Sequence, residues 1–365
     1  MNKLIDRFGR EINYLRVSIT DRCNMRCIYC MPPEGILHRP HDQILSFEEI
    51  YRIVNTAVML GISKVRITGG EPLVRKDLDL FIKNLKRIKG LNEIALTTNG
   101  VYLKEQAFSL KEAGLDRVNI SLDSLVPEKF QEITRGGSLT RALEGVEAAL
   151  LAGLEPLKIN VVLMRGFNDS EIISFAGLAR SRPVHVRFIE YMPTYLGGYS
   201  YKELFFSCLE ARAILDFLGE LIPIENGAHP GLNPGFLGRN TERPLPIRTL
   251  KGAVLWPRMY NCGVSAAKAF RIKGFHGTIG FISPVSENFC SSCNKLRLTS
   301  DGCLRSCLHS SKSIDLKAAM RNGASDNDLA ALIIEAVDSK PRSHNLGAEP
   351  AGVPSEHFSM CQIGG

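Results

Sequence analysis

The chain lacks what a membrane, fibrous or nucleic-acid-coating protein would need. Its apolar runs, such as AVML (57–60), are far too short to cross a bilayer. Tryptophan occurs once and aromatic residues make up only 7% of the chain, which leaves no series of rings on which bases could stack. No block of like charge is present: 45 Lys and Arg face 38 Asp and Glu, a net +7 that suits an anionic partner without defining one. Internal repeats and coiled-coil heptads are absent. The opening residues MNKLIDRFGREINYLR scatter their charges and contain no apolar core, so no secretory leader is expected there and the cytoplasm is the expected compartment. At 365 residues the chain buries enough surface to fold without disulfides.

Cysteine, by contrast, is plentiful, and ten of them in a reducing compartment are not a disulfide framework. Cys23, Cys27 and Cys30 form one group in TDRCNMRCIYC. Cys290, Cys293, Cys303 and Cys307 form another in FCSSCNKLRLTSDGCLRSCL, while Cys208, Cys262 and Cys361 stand alone. Three thiolates within eight residues suit a soft metal. Structural zinc asks for four protein ligands, so a zinc ion at the first group would have to borrow one from a distance. A cubane iron–sulfur cluster on three cysteines leaves one iron open to an outside ligand. At the second group, with four cysteines, zinc and an iron–sulfur cluster are equally well served.

Up to about residue 220 the sequence alternates between two periods. Short β-branched runs at 14–20, 64–68, 93–98, 117–122, 157–164 and 185–190 predict buried parallel strands. Helical segments are expected from Ser46, where Glu49 completes a capping box and Gly61 ends the helix, and over 75–89, 102–113, 138–152 and 169–180. Six strand–helix units imply a parallel sheet, either open or curled into a barrel short of eight strands, with chemistry in the loops after the strands. One further helix is expected over 201–219 and another over 326–337. Between them the composition turns to Gly, Pro and Asn, and a smaller subdomain is expected over about 221–340. Four charges fall inside predicted strands: Lys64, Arg66, Lys158 and Arg187. Each must be paired or must face a cavity. In ITGGEP, Gly69 and Gly70 serve either a close ligand approach or a tight turn.

The CxxxCxxC spacing after RVSIT closely resembles the radical S-adenosylmethionine superfamily. The resemblance implies a 4Fe–4S cluster on Cys23, Cys27 and Cys30, with S-adenosylmethionine on its open iron. It implies S-adenosylmethionine contacts at Tyr29, Gly69, Gly70, Glu71, Thr97 and Ser121, with Pro72 ending the same edge. Beyond the cysteines, LRVSITDRCNMRCIYCMPPEG, KVRITGGEPLVRKDL, NISLDSL, KINVVLMRGFND, RFIEYMP, GFISPVSENFCSSCN and the closing IGG are similar, in order and over nearly the whole chain, to the GTP 3′,8-cyclase family of molybdenum cofactor biosynthesis. That family's second 4Fe–4S cluster would take Cys290, Cys293 and Cys307, leaving Cys303 surplus and one iron for the guanine.

The same resemblance implies an incomplete (β/α)6 TIM-like barrel over 1–220, an auxiliary-cluster subdomain over 221–340 and a tail over 341–365. The tail would insert Gly364 and Gly365 into the active site. GTP would be met by Arg16, Lys64, Arg66, Lys158, Arg187, Lys295 and Arg297. Lys295 departs from the family's usual arginine and keeps the charge without the planar fork. The implied reaction uses a 5′-deoxyadenosyl radical to take hydrogen from C3′ of GTP, and C3′ then bonds to C8. A homodimer is implied, as is product transfer to cyclic pyranopterin monophosphate synthase without a stable complex. No nucleic acid or membrane partner is expected, and the sequence names no electron donor. The rivals are a peptide-modifying member of the superfamily and a zinc-dependent nucleic-acid-binding protein.

Overall fold

The computed structural model describes residues 3–192, 201–224, 266–310 and 312–344, together with the backbone of 247–248 and 254–255. Six strands alternate with helices in the order β1 (Tyr14–Ser18), α1 (Phe47–Met59), β2 (Lys64–Thr68), α2 (Leu78–Leu85), β3 (Glu93–Thr98), α3 (Leu103–Glu112), β4 (Arg117–Ser121), α4 (Pro127–Thr134), α5 (Leu139–Leu151), β5 (Leu157–Leu163), α6 (Ile172–Ser181) and β6 (Val184–Glu190). After them come α7 (Tyr201–Leu204), α8 (Cys208–Leu215), β7 (Ile222–Ile224), β8 (Ile247–Arg248), β9 (Val254–Leu255), β10 (Lys268–Arg271) and β11 (Thr278–Ile282). The chain continues through β12 (Lys295–Leu298), β13 (Cys303–Arg305), β14 (Ile314–Asp315), α9 (Leu316–Arg321) and α10 (Asp326–Asp338).

Among the described residues, twelve strands form one sheet in the order β14-β13-β12-β1-β2-β3-β4-β5-β6-β11-β10-β7, and β8 pairs separately with β9. From β12 to β11 every neighbour is parallel. The architecture is α/β, with a partial barrel-like sheet. Strands from the C-terminal region extend it at both edges: β12, β13 and β14 beyond β1, and β11, β10 and β7 beyond β6.

Alternation along each strand explains the curl. Leu15 and Val17, Val65 and Ile67, Ile94 and Leu96, Val118 and Ile120, Ile159 and Val161, and Val186 and Phe188 are buried in one continuous apolar core. Each such side chain contributes roughly 1.5–3 kcal/mol on leaving water. Most of the alternate residues are polar or charged, and Arg16, Lys64, Arg66, Thr97, Lys158 and Arg187 among them line an internal cavity. A parallel sheet covered on both faces normally reads as continuous apolar runs. Here one face must stay wet, and the charges within the strands record it.

Caps and breaks follow local chemistry. Ser46 and Glu49 form the capping box of α1, and Gly61 lies past its end at φ 120°, where a Cβ would be strained. The helix expected over 75–89 is shorter, because Asp77 sits in the left-handed region at φ 61° and blocks propagation before Leu78. The single helix expected over 201–219 is broken instead. Ser207 caps a new helix through Glu210, and this pair could have been read from SCLE as a capping signal. Helix α4, opened by Pro127 at its first turn, was not expected.

Candidate functional site

One cavity of about 690 Å³ occupies the interior of the curled sheet. All three cysteines of the first group line it, as do Cys290, Cys293 and Cys307. The two trios sit at opposite mouths. Cys23, Cys27 and Cys30 follow the C-terminal end of β1. Cys293 precedes β12, which runs parallel to β1, and Cys307 follows β13, which runs antiparallel to β12. Between the mouths lies the length of β1, whose five residues span roughly 15 Å. Cys303 is not among the residues lining the cavity; it pairs with Asp315 on β14, near Asp301.

The first loop is held mainly by backbone bonds. Cys30 and Met31 N–H donate to the Cys27 carbonyl at 2.9 and 3.2 Å, closing a turn. Arg26 and Ile28 N–H donate to the Thr134 and Ile133 carbonyls at the end of α4, at 3.0 and 2.9 Å. Arg135, just past that helix, donates to the Met31 carbonyl at 3.0 Å, and Arg26 donates to the Cys23 carbonyl at 2.7 Å. Tyr29 hydroxyl donates to buried Asp123 at 2.7 Å, and the other Asp123 oxygen accepts Val162 N–H at 2.8 Å. Asp123 therefore pins the middle of the cysteine loop to the ends of β4 and β5. Burial raises its pKa to about 6, against those two bonds. Burial also pushes the Cys27 thiol well up, with Asp123 and Cys23 adding to it. Sequence reasoning missed Asp123 and Arg135; the acid in SLDS was the available signal.

Gly69 and Gly70 line the cavity, and crowding by neighbouring backbone gives a further reason for glycine at both positions. A Cβ on Gly69 would lie 2.6 Å from the Thr20 carbonyl oxygen, and one on Gly70 would lie 2.3 Å from that of Arg22. Gly70 N–H donates to Thr20 at 2.7 Å and Glu71 N–H to Arg22 at 2.8 Å. The glycines admit the backbone that leads into Cys23. The buried Glu71 carboxylate accepts from Leu73 N–H (3.0 Å), Thr98 hydroxyl (2.6 Å) and Asn99 N–H (2.7 Å), joining the ends of β2 and β3. Burial lifts its pKa to about 7 in spite of these donors. Pro72 is buried at the start of a short turn beneath it.

The middle of the cavity is cationic. Among the described residues, ten Lys and Arg line it against five Asp and Glu, an excess of five that favours a multiply charged anion. Strand register sets Arg297, Arg16 and Arg66 side by side on β12, β1 and β2, with Lys295, Tyr14 and Lys64 in the row nearer the second cysteine trio. Opposite stand Lys158 and Arg187; Gly280 across from Arg187 leaves room for its stem, since a Cβ there would meet Cγ at 3.3 Å. Burial and repulsion from Arg297 and Arg66 pull Arg16 well below its ordinary range. Lys295 is drawn down to about 8 by burial, with the neighbouring arginines adding to it and Cys293 opposing. At the second trio, burial would raise Cys293, but Lys340, Lys295 and Arg297 hold it below the usual thiol range.

Thr97 and Ser121 line the first mouth. The buried Thr97 Oγ1, Asn160 Oδ1 and Arg66 Nε have no hydrogen-bond partner among the described residues. Orphaned polar atoms on a cavity wall are what a polar ligand would satisfy. Among the described residues no three His, Cys, Asp or Glu side chains converge on a single metal ion. A cubane spreads its cysteines around its corners and asks for no such convergence. Gly364 and Gly365 lie outside the described residues, as do Cys262 and Cys361.

Residues 17–179 match the model of the radical SAM superfamily, the class that the sheet and its first cysteine loop define. Residues 257–346 match the model described as Molybdenum Cofactor Synthesis C. The chain is 45% identical to the GTP 3′,8-cyclase of Pelotomaculum thermopropionicum, over 93% of this chain and 95% of that one. It is equally similar to those of Heliobacterium modesticaldum (99% and 100% covered) and Moorella thermoacetica (99% of each). The chain belongs to the GTP 3′,8-cyclase family.

Proposed function

We propose that the protein converts GTP to (8S)-3′,8-cyclo-7,8-dihydroguanosine 5′-triphosphate, an early step of molybdenum cofactor biosynthesis, within an incomplete (β/α)6 TIM-like barrel. The observation that carries this reading is one cavity with three cysteines at each mouth and a row of guanidinium groups between. Cys23, Cys27 and Cys30 would hold one 4Fe–4S cluster, and Cys290, Cys293 and Cys307 a second. Each trio leaves an iron open. When bound and given one electron from an outside reductant, the first cluster and S-adenosylmethionine would supply a 5′-deoxyadenosyl radical able to take hydrogen from C3′, and a second electron and a proton would complete the product after C3′ bonds to C8.

The protein's own part is placement and exclusion of water. Tyr29, Gly69, Gly70, Thr97 and Ser121 form the wall for S-adenosylmethionine; the orphaned Thr97 hydroxyl supports this. Glu71 carries the edge on which those glycines sit, its carboxylate being occupied by three donors. Arg16, Arg66, Arg187 and Arg297 offer planar forks to a triphosphate of three or four negative charges, with Lys64, Lys158 and Lys295 as point charges around it. Their mutual repulsion is relieved when the anion binds. Substrate held between the mouths has its ribose toward the first trio and its base toward the second.

The domain limits 1–220 and 221–340, a tail over 341–365 ending in Gly364 and Gly365, a homodimer, a cytoplasmic location and product transfer to cyclic pyranopterin monophosphate synthase complete the reading. Anaerobic protein given GTP, S-adenosylmethionine and dithionite should form 5′-deoxyadenosine and the cyclised triphosphate in step. Cleavage of S-adenosylmethionine with GTP recovered intact would sink the proposal.

A further inference from the structure

The second cysteine trio is not held by its own loop. Cys290 and Cys293 share a turn in which Cys293 N–H donates to the Cys290 carbonyl at 3.1 Å, while Cys307 arrives from the far end of the β12–β13 hairpin. Two buried cations from elsewhere in the chain join these pieces. Arg10, 8% exposed, donates through Nη1 to the Cys290 carbonyl at 2.9 Å and the Arg342 carbonyl at 3.2 Å. Its Nη2 donates to the Pro341 carbonyl at 2.8 Å, and its Nε is fixed by buried Asp6 at 2.6 Å. Lys340, 2% exposed, donates to the Lys295 carbonyl at 2.8 Å and the Ser306 carbonyl at 2.6 Å. One ammonium thus ties the residue two beyond Cys293 to the residue just before Cys307.

A buried ammonium is costly without an anion nearby. Among the described residues no carboxylate forms an ion pair with Lys340. It lines the cavity beside the trio instead. We propose that Arg10 and Lys340 are positioning residues of the second trio. Arg10 orients the Cys290–Cys293 turn, Lys340 sets the spacing from that turn to Cys307, and both anchor on residues 340–342 after α10. The inference rests on the reading of Cys290, Cys293 and Cys307 as ligands of a second cluster. A fixed positive charge beside such a cluster also favours its reduced form, which carries one more negative charge.

The wild-type protein tests that reading by itself. Anaerobically reconstituted chain should hold about eight irons, four per cubane; about four, or zinc, would end the reading before any variant is made. With the wild type at eight, Arg10→Met and Lys340→Met should each lose up to half the iron while keeping the first cluster. The second cluster that remains should show an altered electron paramagnetic resonance signal and a lower reduction potential. Arg10→Lys, which keeps the charge without the fork, should recover the iron only in part. If circular dichroism shows that Lys340→Met does not fold, Lys340→Gln keeps the donors and removes the charge; iron should then be nearly full and the potential still lower. Wild-type iron, spectrum and potential in the folded Arg10 and Lys340 variants would overturn the proposal.

Discussion

The two mouths of the cavity solve one problem, presenting three sulfurs, in opposite ways. At the first, all three cysteines lie within eight residues, and the loop is held by its own turn, by the end of α4 and by the bond from Tyr29 to Asp123. At the second, the cysteines come from two segments of a hairpin, and their backbone is tied to Arg10 and Lys340, about 280 and 34 to 45 residues away in sequence. Both loops are fixed by ties across the chain, the first to Asp123 and Arg135, 94 and 104 residues away, but its three sulfurs share one short segment and need no tie to bring them together. Segments that arrive separately need long-range ties, and loop-closure entropy must be offset before such ties contribute. The first site is therefore readable as a motif, while the second is a product of the completed fold.

The comparison can be broken most sharply at Cys27. Cys27→Ser removes the middle sulfur of the local trio and should reduce 5′-deoxyadenosine formation to background; a normal rate would contradict the three-ligand assignment. Next comes the cationic row that both mouths share. Arg16→Ala takes the central guanidinium, and buried charge pairs cost about 2–5 kcal/mol when one partner is truncated. GTP affinity by calorimetry should fall on the order of 100-fold, and a change below threefold would place the triphosphate elsewhere.

Glu71 offers a pH signature for the first mouth alone. Its folded pKa of about 7 lies above the ordinary 4.5, so the native state holds the proton more tightly than the unfolded chain. Its contribution is then fully present below about pH 4.5 and is lost as pH rises through about 7, on the order of 3 kcal/mol. Glu71→Gln should flatten that part of the stability–pH curve in denaturant titrations, and an unchanged slope would refute the assignment. Tyr29→Phe removes one hydrogen bond to a buried carboxylate and should cost about 1.5–3 kcal/mol, read as a lower Tm. Iron at the second mouth should be unaffected if the two sites are held independently. Cys303→Ser should change least, with iron content equal to wild type; loss of half the iron would bring Cys303 into the ligand set.

Much of the site was visible before folding because its chemistry is local or periodic. Strand alternation exposed Lys64, Arg66, Lys158 and Arg187 as charges that had to face something other than a core, and all four line the cavity. Other features were invisible for definite reasons. The SxxE cap at Ser207 was overridden by the apolar period of its surroundings, so two helices were read as one. At Gly69 and Gly70 the backbone crowding was not legible, because the carbonyls that crowd them belong to Thr20 and Arg22, about fifty residues earlier.

By itself the sequence determined the two-period alternation, the wet inner face of the strands and the three-sulfur loop at Cys23–Cys30, since each depends on residues within a few positions of one another. Only the tertiary structure decided that the C-terminal strands join the sheet at both edges, that the two cysteine trios face each other down one cavity, and that Arg10 and Lys340 meet behind the second. Those facts depend on which strand lies beside which, and parallel register is settled by contacts between residues tens to hundreds of positions apart.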